Sequence, residues 1–360
     1  MKRSHPELAV HRCALVLLVL LAPAVAHAGP WSIQQITFND TDDRYAQVYG
    51  DYIVWQHYDA NRPDPNDWNW EIMRYQISTG TFTPLTNNTY DDLRPSIHGN
   101  NIVWESVVDF NYELYHYDGN TATRLTNNSM HDQYPYLSAD ALVWSRLVPD
   151  PNNTIDKYWQ IMHYDWVSET QVTYNQYNDM HPRIDGNVMA WETLLSGNWE
   201  VFLKEGNSIR QLTTNPLNDL RPHVNGRYVI YQAYEGFDSE IILYDIDANT
   251  FTPLTNDSLL DTNGVKCGSL MSWRHFDGND FEIILHDGNA AFVVTDDNYD
   301  DGYPDCYGLI VTWDGHDGSD YEIFLINVPE PASVALLGAG TALLVGRRAF
   351  RRRRRANRRG

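Results

Sequence analysis

Apolar and polar positions alternate along this chain in short bursts, and no stretch of the body carries a useful run of helical period. The segment from Leu85 to Thr126 shows the pattern most cleanly. Leu85-Thr86 ends one burst, and Asn87, Asn88, Asp91 and Asp92 make a polar turn. Pro95 opens the next burst, at a strand start where a missing N–H is tolerated, and Ser96 to His98 continues it. Gly99-Asn100 predicts a tight turn, and the β-branched and aromatic run Ile102-Val103-Trp104 a second strand. Glu113 to Tyr117 alternates as a third strand, Asp118-Gly119 turns, and Thr121 to Thr126 forms a fourth.

This unit recurs. An apolar-Thr pair stands at Ile36-Thr37, Leu85-Thr86, Leu125-Thr126, Val172-Thr173, Leu212-Thr213, Leu254-Thr255 and Val294-Thr295. An aromatic closes an apolar run at Trp55, Trp104, Trp144, Trp191, Tyr231, Trp273 and Trp313. A Glu or Gln opens a strand at Glu71, Glu113, Gln160, Glu200, Glu240, Glu282 and Glu322. From Trp55 to Trp313 the period is 43 residues. Four short antiparallel strands in a unit of that size make a propeller blade. One such sheet cannot bury both faces alone, and radial stacking gives each face a neighbour. The body opens on a lone fourth-strand sequence, Trp31 to Thr37, and closes on three strands that lack a fourth. The expected fold is therefore all-β, a seven-bladed β-propeller of four-stranded antiparallel blades. Its N-terminal strand would complete the last blade and remove the exposed edges.

The repeat text, LTNN-x-x-DD-x-x-P through G-x-x-IVW to D-x-x-E-I-x-x-YD, as at Leu85 to Asp118, resembles the TolB-type, WD40-like propeller repeat. The resemblance implies the fold over nearly the whole body. It departs at Ala46 and Gly264, which replace the strand-opening proline. It also leaves six blades as the alternative count, since TolB-like propellers are often six-bladed. It implies little about activity, because such propellers serve as binding platforms, protease gates and occasional lyases.

The two ends are addresses. Lys2, Arg3 and Arg12, the apolar run Ala14 to Ala24 and the small-x-small site Ala26-His27-Ala28 predict a signal peptide over residues 1–28. The propeller is expected over 29–327. At the other end, Pro329-Glu330-Pro331 is followed by a small, apolar stretch from Ala332 to Gly346 and an arginine cluster. These three ordered parts resemble the PEP-CTERM sorting signal of Gram-negative bacteria, placed over 328–360. The resemblance implies processing by an exosortase, transient membrane contact through a short transmembrane segment, and delivery to the cell surface, outer membrane or extracellular matrix.

Charge sharpens the picture. The chain carries −22 formally. With the basic ends set aside, 14 basic and 46 acidic residues remain, a charge near −32 on the body. Such a surface repels nucleic acid and favours cations and basic partners. Calcium is the one cofactor that this charge admits; otherwise none is expected.

Blade topology puts the turns from fourth to first strand on one face with the loops from second to third strand. The first set repeats an acid: Asp43, Asp92, Asp132, Asp179, Asp219, Asp261 and Asp301. A ring of carboxylates around one channel mouth is expected, with each Asp also able to fix its own turn through backbone N–H groups. The second set is longer in units 1 and 3, where Pro63 to Asn66 and Pro149 to Asn152 both spell Pro-Asp-Pro-Asn. Insertions on one face of a repeat scaffold commonly build the binding site. Trp68 and Tyr158 could stack on sugar rings there, with Asp64 and Asp150 as polar partners. Trp70, Trp159 and Trp199 precede the strand marker and read as structural. Acidic loops at Asp277 to Asp280 and Asp314 to Asp317 lack EF-hand spacing and are explained by turn chemistry.

No GxSxG, HExxH or P-loop occurs, and the histidines are dispersed. The expected role is a non-enzymatic module binding an extracellular polysaccharide or surface protein. A propeller lyase or hydrolase with a channel metal, and a structural matrix protein, are the alternatives. Cys267 and Cys306 fall on the first strands of adjacent blades, one residue out of phase relative to Gly268 and Gly308. Their side chains should face opposite ways, which disfavours a disulfide.

Overall fold

The computed structural model describes residues 31–60 and 68–329, and they form seven four-stranded antiparallel sheets. The fold is an all-β, seven-bladed propeller, as the repeat predicts. Inner strands begin on the repeated aspartate in six blades: Asp43–Tyr49, Asp92–His98, Asp132–Leu137, Asp179–Asp185, Asp219–Asn225 and Asp261–Cys267. In blade 7 the inner strand is Asp305–Tyr307, and Asp301 keeps only an isolated bridge to Gly315.

The repeated residues have specific jobs. The hydroxyl of each repeated threonine accepts the N–H of the residue after the Glu/Gln marker. The seven bonds, from Thr37–Ile323 to Thr295–Ile283, span 2.8–2.9 Å. This bond ties the end of the outer strand to the strand inside it, where the main-chain ladder runs out. The closing aromatics fill the space between blades. Trp55, Trp104, Trp144, Trp191, Tyr231, Trp273 and Trp313 are 0–4 % exposed. Burying such a side chain is worth roughly 2–3 kcal/mol, so the seven contribute strongly to blade stacking alongside the aliphatic residues around them.

The ring closes through the N-terminal strand. Gln34–Gln35 pairs with Tyr321–Asn327, placing Gln34 opposite Leu325 and Gln35 opposite Phe324. The Ile36 amide donates to the Ile323 carbonyl at 2.7 Å. Ile36, Ile323 and Leu325 then share one buried cluster with Ile53 and Trp55 of blade 1.

One expectation is overturned. Cys267 and Cys306 form a disulfide, with Cα atoms 5.9 Å apart. Their one-residue phase difference is real: Cys267 pairs with Leu270, whereas Tyr307, not Cys306, holds the matching place opposite Ile310. In a radial stack, however, the front of one blade faces the back of the next. Side chains on opposite faces of equivalent strands are the ones that meet. The bridge therefore staples blade 6 to blade 7.

Replacing Cys306 with Ser reopens a loop whose ends are separated by 39 residues. Unfolding free energy is expected to fall by up to ~4 kcal/mol on the loop-entropy estimate. Guanidinium denaturation of the variant against the parent measures it, and an unchanged midpoint would contradict the staple.

Candidate functional site

The seven aspartates do not ring an open mouth. Their residues are 0–5 % exposed, lodged between blades and sealed by donors. The indole N–H of the closing Trp donates to Asp43, Asp92, Asp132 and Asp301 at 2.6–3.0 Å. The amide of an Asn four residues earlier donates to Asp43, Asp92, Asp132 and Asp179 at 2.6–2.7 Å, and Asn215 likewise to Asp219. A third donor comes from the second strand: His57 to Asp43 at 2.8 Å, Arg146 to Asp132 at 2.6 Å, Thr193 to Asp179 at 2.6 Å and His275 to Asp261 at 2.9 Å. The expected channel-mouth carboxylate ring is thus corrected to a set of interblade pins. Side-chain donors, more than backbone N–H groups, hold them.

Burial raises several of these carboxyls. Blade 5 has Tyr231 and Ala233 in place of a Trp and a third donor, and Asp219 is pushed up to about 6, chiefly by desolvation. Blade 7 has Gly315 at the third-donor position, so close that an added Cβ would lie 2.3 Å from Asp301 Oδ1. It also has Asp297 where the turns of blades 1 to 5 carry Asn. Asp301 is pushed up to about 8, by desolvation first and then by the charges of Glu282 and Asp297. Asp92, buried beside Glu71, stands at about 6.

The channel is lined by different residues. Two positions after the aspartate, each of the first six blades has a left-handed residue: Tyr45, Arg94, Tyr134, His181, Arg221 and Asn263, with φ between 47° and 58°. Tyr303 holds the seventh place. A register shift marks the bulge, for example between Arg44 and Gln47 against the second strand. Left-handed backbone costs a non-glycine residue roughly 1–2 kcal/mol. The preceding blade holds the strained amide: Arg94 N–H donates to Gln56 at 3.0 Å, Tyr134 N–H to Glu105 at 2.6 Å and Arg221 N–H to Glu192 at 2.7 Å. These side chains ring an axial cavity of about 420 Å³, whose floor includes Tyr136, Arg183, His223 and Asp305.

The cavity is cationic although the body is acidic. Arg94 pairs with Glu105 at 2.9 Å and lies over the Tyr134 ring at 5.0 Å. Arg221 donates to Asn263 at 2.6 Å. Arg183 makes its one side-chain hydrogen bond to the Pro182 carbonyl, at 2.9 Å, and lies 4.7 Å from the Tyr136 ring centre. Desolvation lowers its pKa. His223 accepts from Lys266 N–H on Nδ1 at 3.4 Å, which leaves Nε2–H for Tyr136 Oη at 3.1 Å. Burial, then Arg183 and Lys266, push its pKa down to about 3, so it is neutral. Asp305 is the cavity's acid. It accepts Val48 N–H across the closure seam at 2.8 Å and is pushed up to about 7 by desolvation. The sequence signal for this ring was present: it is the residue just before each strand-opening proline.

The blade 3 insertion lies on the same face, and Pro63 to Asn66 of blade 1 lie outside the described residues. In blade 3 the insertion is an extended hairpin, Leu142–Asp150 paired with Asn153–Tyr164. Tyr158 sits in that ladder opposite Val148 and is half-buried. Asp150, expected as a ligand contact, is 4 % exposed and accepts Asn152 N–H and the Gln176 amide, at 2.8 and 2.7 Å. It caps the hairpin, so its predicted binding role is withdrawn. Trp68 is 40 % exposed, and Asp64 lies outside the described residues. Trp70, Trp159 and Trp199 each donate their amide to the next turn at 2.9–3.1 Å, a structural use. Periodicity did not reveal the exposed aromatics at other loop tips of this face: Phe38, Phe110, Tyr174 and Phe237.

Residues 327–355 match the family model of the PEP-CTERM protein-sorting motif. The C-terminus carries a PEP-CTERM sorting signal. That signal directs exosortase processing and marks this chain as exported and sorted to the cell surface in a Gram-negative bacterium. It includes Pro329, Glu330 and Pro331, and the last two lie outside the described residues along with its apolar segment. Among the described residues no helix is long and apolar enough to cross a membrane. No curated protein matches the chain in sequence.

Similar solved structures include the propeller domain of the Trilobed protease from Pyrococcus furiosus, at 9 % identity and TM-score 0.63, covering 81 % of this chain and 94 % of that one. An oligogalacturonate lyase in complex with manganese aligns at 13 % identity and TM-score 0.62, covering 85 % and 95 %. The Pyrococcus horikoshii acylaminoacyl peptidase aligns at 9 % and TM-score 0.65 over 79 % of this chain, but over only 51 % of its own length. At these identities the likeness is one of fold.

The buried carboxyls predict a pH dependence. Asp92 and Asp219 at about 6 and Asp301 at about 8 all lie above the unfolded value of 3.8. The folded state therefore binds more protons than the unfolded state through this range, and stability falls as pH rises. Melting temperature in the presence of a chelator is expected to drop steadily from pH 5 to pH 8.5. A rise over that window would reverse the sign assigned to these pins.

Proposed function

We propose that this exported propeller is a non-enzymatic binding module for an acidic polysaccharide, with the axial cavity taking a carboxylate of the chain. The observation that carries it is Arg183, a desolvated guanidinium in the channel with no carboxylate hydrogen-bonded to it. Arg183 is half-buried, and its nearby acids, Asp305 and Glu192, make no hydrogen bond to it, so an anionic ligand would supply the direct partner that a partly desolvated cation lacks. Arg94 and Arg221 stand at the mouth above it, so three of the body's 14 basic residues line one cavity. On loop tips of the same face, Phe110, Phe237 and Tyr174 are 97 %, 104 % and 78 % exposed. Exposed aromatics grouped on one face of a surface protein suit stacking on sugar rings.

Lyase or hydrolase chemistry is the second reading, since one of the similar structures is a lyase with manganese. Three groups of Asp, Glu and His among the described residues come close enough to share an ion. None of them uses a residue lining the axial cavity. That supports binding over metal-assisted cleavage here. His223, committed to Lys266 and Tyr136, is not free to act as a base.

A polyuronate is expected to bind the purified protein, with affinity falling as salt rises, while a neutral glucan does not. Arg183→Leu should weaken binding at least tenfold, a loss of about 1.4 kcal/mol. Phe110→Ala should weaken it less. Equal binding by Arg183→Leu and the parent would discard the cavity as the site. Release of unsaturated or reducing ends from the polyuronate would overturn the non-enzymatic reading, and binding only to a surface protein would move the ligand class.

A further inference from the structure

The position two residues before the Glu/Gln marker differs among blades in a way that the fold makes meaningful. In blades 1, 2 and 4 it is Asn69, Asn111 and Asn198. Each points its amide NH₂ at the marker and at carbonyls of the following turn. Asn111 donates to Glu113 and to the Asn128 carbonyl, both at 2.8 Å. Asn198 donates to Glu200 at 2.7 Å and to the Asn215 and Leu217 carbonyls at 3.0 and 3.1 Å. Asn69 does the same with Glu71, Asn88 and Tyr90. The spot is a nest of oxygens satisfied by one weakly positive NH₂.

In blades 5, 6 and 7 the same position is Asp238, Asp280 and Asp320, and among the described residues a third acid comes within reach of it only in blades 6 and 7. A carboxylate has nothing to donate. Neither oxygen of Asp280 accepts a hydrogen bond, nor does Asp320 Oδ2; Glu282 Oε2 and Glu322 Oε2 are unpartnered too, as Glu113 Oε2 is in blade 2, so the aspartate oxygens are what set these blades apart. Asp280, Asp320, Glu282 and Glu322 are all more than nine-tenths buried: 6 % and 8 % exposed for the aspartates, 2 % and 0 % for the glutamates. The marker's other oxygen keeps its usual turn contact, to Asp297 N–H at 3.0 Å and Asn39 N–H at 2.6 Å, so the nest itself is intact. A third acid enters from the loop before, Asp277 in blade 6 and Asp317 in blade 7. In each trio one oxygen per residue lies within 4.8 Å of the others.

We infer that blades 6 and 7 each hold a calcium ion where blades 1, 2 and 4 hold an amide NH₂: Asp277, Asp280 and Glu282 bind one, and Asp317, Asp320 and Glu322 the other. Two oxygens up to 4.8 Å apart can both sit at a calcium–oxygen distance of about 2.4 Å from one ion. Calcium takes six to eight oxygens with loose geometry, and the turn carbonyls at Asp297 and Tyr299, and at Asn39 and Thr41, occupy the places of those that accept from Asn69. The cation is a local substitute for a hydrogen-bond donor, so it serves the seam and not the axial cavity.

Isothermal titration of the purified full-length protein with calcium chloride at pH 7.5 is expected to give two sites and a raised melting temperature. Asp280→Asn should remove one site and Asp320→Asn the other. The double variant should bind none, yet melt in chelator at or above the chelated parent, because it adopts the arrangement of blades 1, 2 and 4. Absence of calcium heat and of any melting shift at millimolar calcium would overturn the inference and leave protons on these carboxyls. Unaltered stoichiometry in the double variant would place the ions elsewhere. The parent titration decides the matter even if a variant fails to fold.

Discussion

A carboxylate buried between two β-sheets must find its donors inside the protein, and this requirement organises the propeller. Asp43 shows the full set: it draws in a tryptophan indole, an asparagine amide four residues back and a second-strand side chain, and the other blades keep part or all of it. Meeting those contacts ties the turn that enters a blade to that blade's first two strands. It also sets where the next strand can start, because the aspartate is the first residue of six inner strands. The bulge follows two residues later, held by the blade before it. A pin between sheets thus becomes a side chain aimed at the axis.

The architecture was legible because every element of it repeats. A period of 43 residues, seven markers in register and an unpaired first strand leave few ways to arrange the chain. What escaped were features that depend on how one blade faces another. Asp43 and its six equivalents looked like a charged rim because sequence gives the position of a carboxylate but not its depth. Cys267 and Cys306 looked mismatched because phase was judged within one sheet. Asp150 looked like a ligand contact because an acidic insertion reads as exposed, whereas here it fastens its own hairpin. The lining of the axial cavity is set by a left-handed bulge, which ordinary alternation does not announce.

Charge is sorted by depth and direction more than by amount. The body carries an excess of acid near −32, yet the cavity on its axis is lined by Arg94, Arg183 and Arg221, with Asp305 the one acid in its lining and Glu105 paired to Arg94 behind it. The outer surface and the cavity therefore prefer opposite ions. An acidic chain would be repelled by most of the surface and admitted at one place, which gives direction to an encounter that uniform charge would not.

The closing seam has a mechanical meaning as well. The sorting motif begins at residue 327, where the strand Tyr321–Asn327 ends. That strand lies inside its sheet, between Ile310–His316 and the two-residue strand Gln34–Gln35. A pull on the C-terminal segment is therefore delivered to an interior strand, not to a free edge. Its ladder on one side spans seven residue pairs, and a disulfide fastens the same blade to its neighbour. The weak member under tension is the short N-terminal strand, so a tethered propeller would yield first by opening its ring while the blades stay folded.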